Sequence, residues 1–197
     1  MIMSKGSSIA LVVMSVFVVA LGGCSKQPEL LVGGGFESQS EFQKTPGDWY
    51  PTVLPRTKEF VDFAWDDQVA YTGKRSVSIA IDPSHPDEKI AYNWTNAVPG
   101  CEEGKTYELS GWIKAEDLNG PAWICIQSWD DTKSKMLGFE TTQMDYPVTG
   151  TTDWTRVGTV FKVPVGTAEV RIRAGIATPE NRGGRVWFDD LSVRSLD

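Results

Sequence analysis

The sequence predicts an all-β fold, a β-sandwich, and three observations carry that prediction. Beyond the first two dozen residues no segment sustains the 3.6-residue apolar repeat of a helix. Apolar and polar residues alternate instead in short runs, at 30–37, 59–65, 76–81, 89–98, 106–118, 122–129, 138–142, 154–163, 168–176 and 185–196. Gly, Pro, Asn and Asp punctuate the runs at 72–74, 99–100, 119–121, 149–150, 164–166 and 182–184, where a tight turn needs a positive or a fixed φ. Asn119-Gly120-Pro121 reads as a turn that folds 122–129 back antiparallel on 106–118.

The first residues stand apart from this pattern. Lys5 precedes an apolar stretch over 9–21, which ends in Leu21-Gly22-Gly23-Cys24 and is followed by Ser25. That is an export signal with a lipobox: too short to remain as a membrane span, and closed by the small residues a signal peptidase requires. Cleavage removes 1–23 and leaves Cys24 as a lipidated N-terminus carrying fatty acyl chains of the palmitate class, a stable anchor because more than one chain enters the bilayer. Residues 24–29 are then a short tether and 30–197 one module held near a membrane surface. Ser25 matches the default outer-membrane address in Gram-negative bacteria.

Charge narrows the partners. Acidic residues outnumber basic ones 26 to 19, and the basic ones are scattered, which excludes a phosphate-tracking surface and hence nucleic acid. A net charge of −7 also disfavours a densely anionic glycan and suits a neutral one or a divalent cation. The chain is expected to be a monomer. Eight tryptophans exceed what a core of this size requires, and a sugar-stacking surface would use the surplus. Cys101 and Cys125 invite a disulfide in an oxidising compartment. Placed on an antiparallel pair they would sit some ten residues apart along the strands, on the order of 30 Å, so a buried free Cys125 is expected.

Strand parity separates core from surface. In 106–118 the residues Tyr107, Leu109, Gly111, Ile113 and Ala115 share the core face, with Trp112 opposite. In 122–129 Ala122, Ile124 and Ile126 turn inward, leaving Trp123, Cys125, Gln127 and Trp129 on the other side. In 168–176 Arg171 and Arg173 likewise oppose Val170, Ile172, Ala174 and Ile176. A non-core face that mixes indoles with Gln and Arg suits a sugar: pyranose C–H groups stack on the ring, and hydroxyls pair with planar polar groups.

Four segments resemble a known family. They are Val32-Gly33-Gly34-Gly35-Phe36-Glu37, Tyr71-Thr72-Gly73-Lys74-Arg75-Ser76, Lys105-Thr106-Tyr107-Glu108-Leu109-Ser110-Gly111-Trp112-Ile113-Lys114 and Val186-Trp187-Phe188-Asp189-Asp190-Leu191. In this order and spacing they resemble the carbohydrate-binding modules of the galactose-binding-like superfamily, families four, nine and twenty-two in particular. The resemblance implies a jelly-roll sandwich that binds glycan without cleaving it. It also implies a structural calcium ion tying the first and last strands, held by Glu37, the backbone carbonyl of Lys74 and Asp189. The family's sugar-binding aromatics are not fixed in sequence, so the candidates here rest on physical grounds: Trp65, Trp94, Trp123, Gln127, Trp129 and Arg173, with Trp112 and Tyr92 behind them.

An enzyme reading has little to stand on. The lone histidine, His85, lies in a Pro- and Asp-rich loop, and Asp66, Asp67, Asp130, Asp131 and Glu140 sit beside turns, where acids serve solubility. The alternative to sugar binding is a cell-surface structural or protein-interaction lipoprotein built on the same sandwich.

Overall fold

A computed structural model describes residues 27–40 and 45–197. The segment 1–23 expected to be a signal peptide, and Cys24 expected to carry lipid, lie outside the described residues.

The described residues form nine strands: β1 Tyr50–Thr52, β2 Val61–Asp66, β3 Ser76–Ile81, β4 Ala91–Ala97, β5 Thr106–Trp129, β6 Met136–Thr141, β7 Val148–Lys162, β8 Glu169–Ala177 and β9 Arg185–Ser195. A 3-10 turn, Lys58–Phe60, precedes β2. Every pairing is antiparallel. One sheet runs β2-β3-β9-β5-β7 and the other β1-β4-β8-β5-β6, so β5 belongs to both. The result is a β-sandwich of the jelly-roll class, nearly closed along the shared strand.

The shared strand corrects the sequence reading. Asn119-Gly120-Pro121 does not fold 122–129 back; the 24-residue β5 continues through it and changes sheets. Its N-terminal half pairs β9 and its C-terminal half pairs β8. The corner shows as register shifts against β7 between Ile113 and Ala122 and as a positive φ of 53° at Asp117. What would be a turn donor is used elsewhere, since the Gly120 N–H donates to Asn181 Oδ1 at 2.8 Å. Corner residues and turn residues are the same types, because both need relaxed φ and a break in the ladder. The premise for keeping the cysteines apart therefore falls, while the outcome stands: Cys101 and Cys125 are both free thiols.

Inside the sandwich the parity holds. Leu109, Ile113, Ile124, Ile126, Ile172, Ile176, Val77, Ile79 and Phe188 are fully buried between the sheets. The 30–37 run is not a strand. Glu29 bridges Arg194, the Leu30 N–H donates to Val193 O, and tight turns follow until the Leu191 N–H donates to Gly34 O at 2.9 Å. Only glycine fits there, since a Cβ at position 34 would stand 1.8 Å from Leu191 O. His85 is buried: its Nε2 lies 2.7 Å from the Tyr92 hydroxyl and its Nδ1 2.7 Å from Pro86 O, so the ring pins its loop to β4.

Candidate functional site

The outer face of the β1-β4-β8-β5-β6 sheet gathers the polar and aromatic side chains that strand parity excludes from the core. Cross-strand register sets them in rows. One row reads Tyr50, Thr95, Arg173, Cys125 and Thr141; the next reads Ala97, Arg171, Gln127 and Phe139. Trp123 lies opposite Gly175, and Trp129 opposite Glu169 and Met136. A cleft of about 280 Å³ opens among these rows, lined by Trp123, Gln127, Phe139, Arg173 and Asn93.

The cleft floor is well built. Trp123 is 8% exposed and lies over Gly175, whose missing side chain makes room for the indole. Cys125 is buried beneath, and burial pushes its thiol up to about 12, with the Arg173 charge pulling the other way. Along β4 the polar groups satisfy one another: the Asn93 Nδ2 donates to Ala91 O, the Thr95 hydroxyl donates to Asn93 Oδ1 at 2.7 Å, and Thr52 meets Thr95. Arg171 is held by an ion pair from its Nε to Glu169, which also takes Lys133 at 2.5 Å. The Arg171 hydrogen bond keeps the Glu169 carboxyl below the usual glutamate range, against the opposing effect of burial. The Arg171 guanidinium carbon sits 5.6 Å from the Trp129 ring.

Against that order three groups stand out. Of six buried side-chain polar atoms without a hydrogen-bond partner among the described residues, Ser128 Oγ, Thr152 Oγ1 and Arg182 Nε being the others, three belong to this face: Gln127 Oε1, Trp129 Nε1 and Arg173 Nε. Native structures leave few such atoms unpaired, because each costs about 1–3 kcal/mol. The three on this face are one acceptor and two donors.

The structure thus brings Trp123, Gln127, Trp129 and Arg173 together and separates the other sequence candidates from them. Trp94 is a core residue, 2% exposed, with its Nε1 donating to Ser78 O at 3.1 Å, so it has no ring face for a ligand. Its parity on β4 is that of Tyr92, which is also buried. Trp65 lies on β2 in the other sheet, packed against the core, donating to Phe36 O at 2.7 Å and covered by Arg75 at 4.1 Å from its ring. Trp112 faces outward from that same opposite sheet and stacks on Tyr71 at 3.8 Å. Sequence reasoning missed Phe139, 45% exposed beside Gln127, and Tyr50, 49% exposed at the far edge. Phe139 carries a local signal, an aromatic residue alternating with Glu140 in the 138–142 run, although the pairing that sets it beside Gln127 does not. Tyr50 has no such signal, because β1 is only three residues long.

The carboxylates considered for catalysis lie elsewhere. Asp66 accepts from Trp187 Nε1, Gln68 N and Val69 N; Asp130 closes its own turn by accepting from Ser134 N and Lys135 N; none of the five lines the cleft.

The residues implied for calcium meet around the 71–75 loop. Glu37 Oε1 accepts the N–H groups of Lys74 at 2.8 Å and Arg75 at 3.0 Å. Asp189 Oδ2 accepts those of Tyr71 and Thr72, and its Oδ1 that of Asp190. Burial pushes the Asp189 carboxyl up to about 6, with the three N–H groups acting downward and Asp190 upward. The loop therefore turns N–H groups toward both acids. Among the described residues no three His, Cys, Asp or Glu side chains gather as a metal site. A hollow of about 540 Å³ beside this loop is lined by charged groups and backbone and offers no ring.

No known sequence family and no curated protein matches the chain. Solved structures do. The CBM22-1 xylan-binding domain of Paenibacillus barcinonensis Xyn10C superposes with a TM-score of 0.55 at 14% identity, over 87% of this chain and 96% of that one. A CBM61 module solved with β-1,4-galactotriose gives 0.52 at 16% identity, over 86% and 99%. The tailspike protein 4 of bacteriophage CBA120 gives 0.60 at 15% identity over 85% of this chain, which spans only 21% of the tailspike chain. The chain shares its β-sandwich fold with these two carbohydrate-binding modules and with part of the tailspike.

Proposed function

We propose that this protein binds carbohydrate without cleaving it, through the outer face of the β1-β4-β8-β5-β6 sheet, while lipid on Cys24 holds it to a membrane. The observation that carries the reading is the sheet face itself: the cleft sets Gln127, with its Oε1 unpaired, and Arg173, with its Nε unpaired, among the rings of Trp123 and Phe139, and Trp129, with its Nε1 unpaired, follows two residues beyond Gln127 on the same side of β5. A sugar answers both needs. Its C–H face covers a ring and its hydroxyls accept from and donate to those atoms. Two solved modules that share this fold over nearly their whole length, a xylan-binding domain and a module in complex with β-1,4-galactotriose, support the ligand class. The ligand is a poly- or oligosaccharide with a largely neutral backbone, since the net charge of −7 opposes a dense polyanion. Binding is weak to moderate, because an open cleft leaves much of the sugar in water.

Anchoring at Cys24, in the outer membrane if the cell is Gram-negative, belongs to the same proposal. It is tested by fractionating cells that express Cys24→Ala, which should release the protein from the membrane. Calcium is proposed as a structural ion at Glu37, Lys74 and Asp189. It would have to use the lone pairs of the carboxylates that the loop N–H groups leave free, together with the Lys74 carbonyl. Glycan binding is tested by titrating a panel of xylan, β-glucan, mannan and peptidoglycan fragments. Silence from the folded protein across that panel would favour the protein-interaction reading.

A further inference from the structure

We infer that the glycan taken by this cleft carries isolated carboxylate groups, of the uronic acid class, and that Arg173 reads them; this rests on the sugar-binding reading of the same face. The observation is an imbalance of charge. Most arginines among the described residues have an acidic partner: Arg56, Arg75, Arg156, Arg171, Arg182 and Arg194 all do. Arg185 instead lies 5.7 Å from the Trp187 ring. Arg173 has neither an acid nor a ring, and its Nε is buried without an acceptor.

Its surroundings supply no anion. Across the strands it faces Thr95 and Cys125, and the cleft lining adds Asn93, Gln127 and Thr141 but no Asp or Glu. One row away the same sheet neutralises Arg171 with Glu169, so the fold pairs a cation on this face where stability alone is served. A partly desolvated guanidinium without a counter-charge is costly. Its planar fork matches a carboxylate in two parallel hydrogen bonds, and such charge-assisted bonds are about twice as strong as neutral ones. A sugar hydroxyl would satisfy the Nε but leave the charge uncompensated; a uronate satisfies both. The acid groups must be sparse along the chain, because the protein's net charge of −7 repels a polymer charged at every residue. The ligand class is therefore a neutral backbone, stacked on the rings, with occasional uronate substituents.

The test compares each glycan with its own carboxyl-reduced twin. Full-length protein in mild detergent is titrated calorimetrically with glucuronoxylan and with a glucuronate-bearing arabinogalactan, each before and after reduction of the carboxyl groups to alcohols. The expected result is about tenfold tighter binding of the acidic form in at least one pair, the size a charge-assisted hydrogen-bond pair confers. That ratio should shrink in about 0.5 M NaCl, fall to about one in Arg173→Gln, and survive in part in Arg173→Lys, with neither variant melting below the unaltered protein. Equal binding of the twins overturns the uronate inference and leaves sugar binding standing. A ratio that survives Arg173→Gln also overturns it, by placing charge recognition elsewhere. No binding to any form by folded protein removes the sugar-binding reading as well.

Discussion

The indole of Trp123 occupies the place where Gly175 lacks a side chain: a Cβ on Gly175 would stand 3.0 Å from Trp123 Cη2, 2.8 Å from Asn93 Cβ and 2.3 Å from Tyr92 O. The backbone oxygen cannot withdraw, because Tyr92 sits within the β4-β8 ladder. Gly175→Ala should therefore cost about 1–3 kcal/mol and lift Trp123 off the cleft floor. Thermal unfolding and glycan titration of this variant should both worsen; an unchanged Tm would show that the indole does not depend on that space.

The tryptophans should divide by their place in the fold. Trp94→Ala removes a core ring and should destabilise by about 3–5 kcal/mol. Trp129→Ala removes a half-buried ring on the cleft face and should weaken glycan binding about tenfold with a much smaller shift in Tm. Trp65→Ala, in the opposite sheet, should lower Tm and leave glycan affinity alone. Parallel melts and titrations of the three variants read this division directly.

Acid should act through Glu169. Its folded-state pKa lies below the ordinary glutamate value of 4.5, chiefly through the Arg171 hydrogen bond. A depressed carboxylate stabilises the fold above its unfolded pKa and loses that contribution as pH falls through the folded value. Stability should thus be insensitive to this group from neutral pH down to about 4.5 and decline below it. Glu169→Gln should flatten that acidic limb in a pH series of melts. A limb of unchanged steepness would assign it to other carboxylates.

The calcium proposal makes its own demand. If an ion joins Glu37, Lys74 and Asp189, chelator should lower Tm by roughly 5 °C or more, the shift that saturating a site at a hundredfold its Kd gives a chain of this size. Identical melts in chelator and in calcium would leave the N–H hydrogen bonds to Glu37 and Asp189 as the whole staple.

Cys125 should resist alkylation in the native protein. It is 1% exposed and its thiol is pushed up to about 12, so little thiolate exists at neutral pH. Rapid labelling of Cys125 without unfolding would show that the cleft floor opens.

Much of this was legible in the alternation of residues. The inward faces at Leu109 and Ile113, at Ile124 and Ile126, and at Ile172 and Ile176 follow from period-two patterning, and the same parity delivered Trp123, Gln127, Trp129 and Arg173 to one surface. Trp94 misled because β4 carries large residues on its inner face and small polar ones, Asn93 and Thr95, on its outer face. Size alone therefore does not mark the ligand side. Residues 119–121 misled because a sheet-switching corner uses turn chemistry without reversing the chain. Tyr50 and the pairing of β6 with β5 depend on contacts between segments, which no local pattern encodes.

The measurement that tests the central claim most directly is calorimetric and tryptophan-fluorescence titration of the full chain, in mild detergent, against the glycan panel. Saturable binding that weakens about tenfold in Trp129→Ala is the predicted result. A folded protein that binds none of the glycans, or one whose binding is indifferent to Trp129, Gln127 and Arg173 alike, would contradict it.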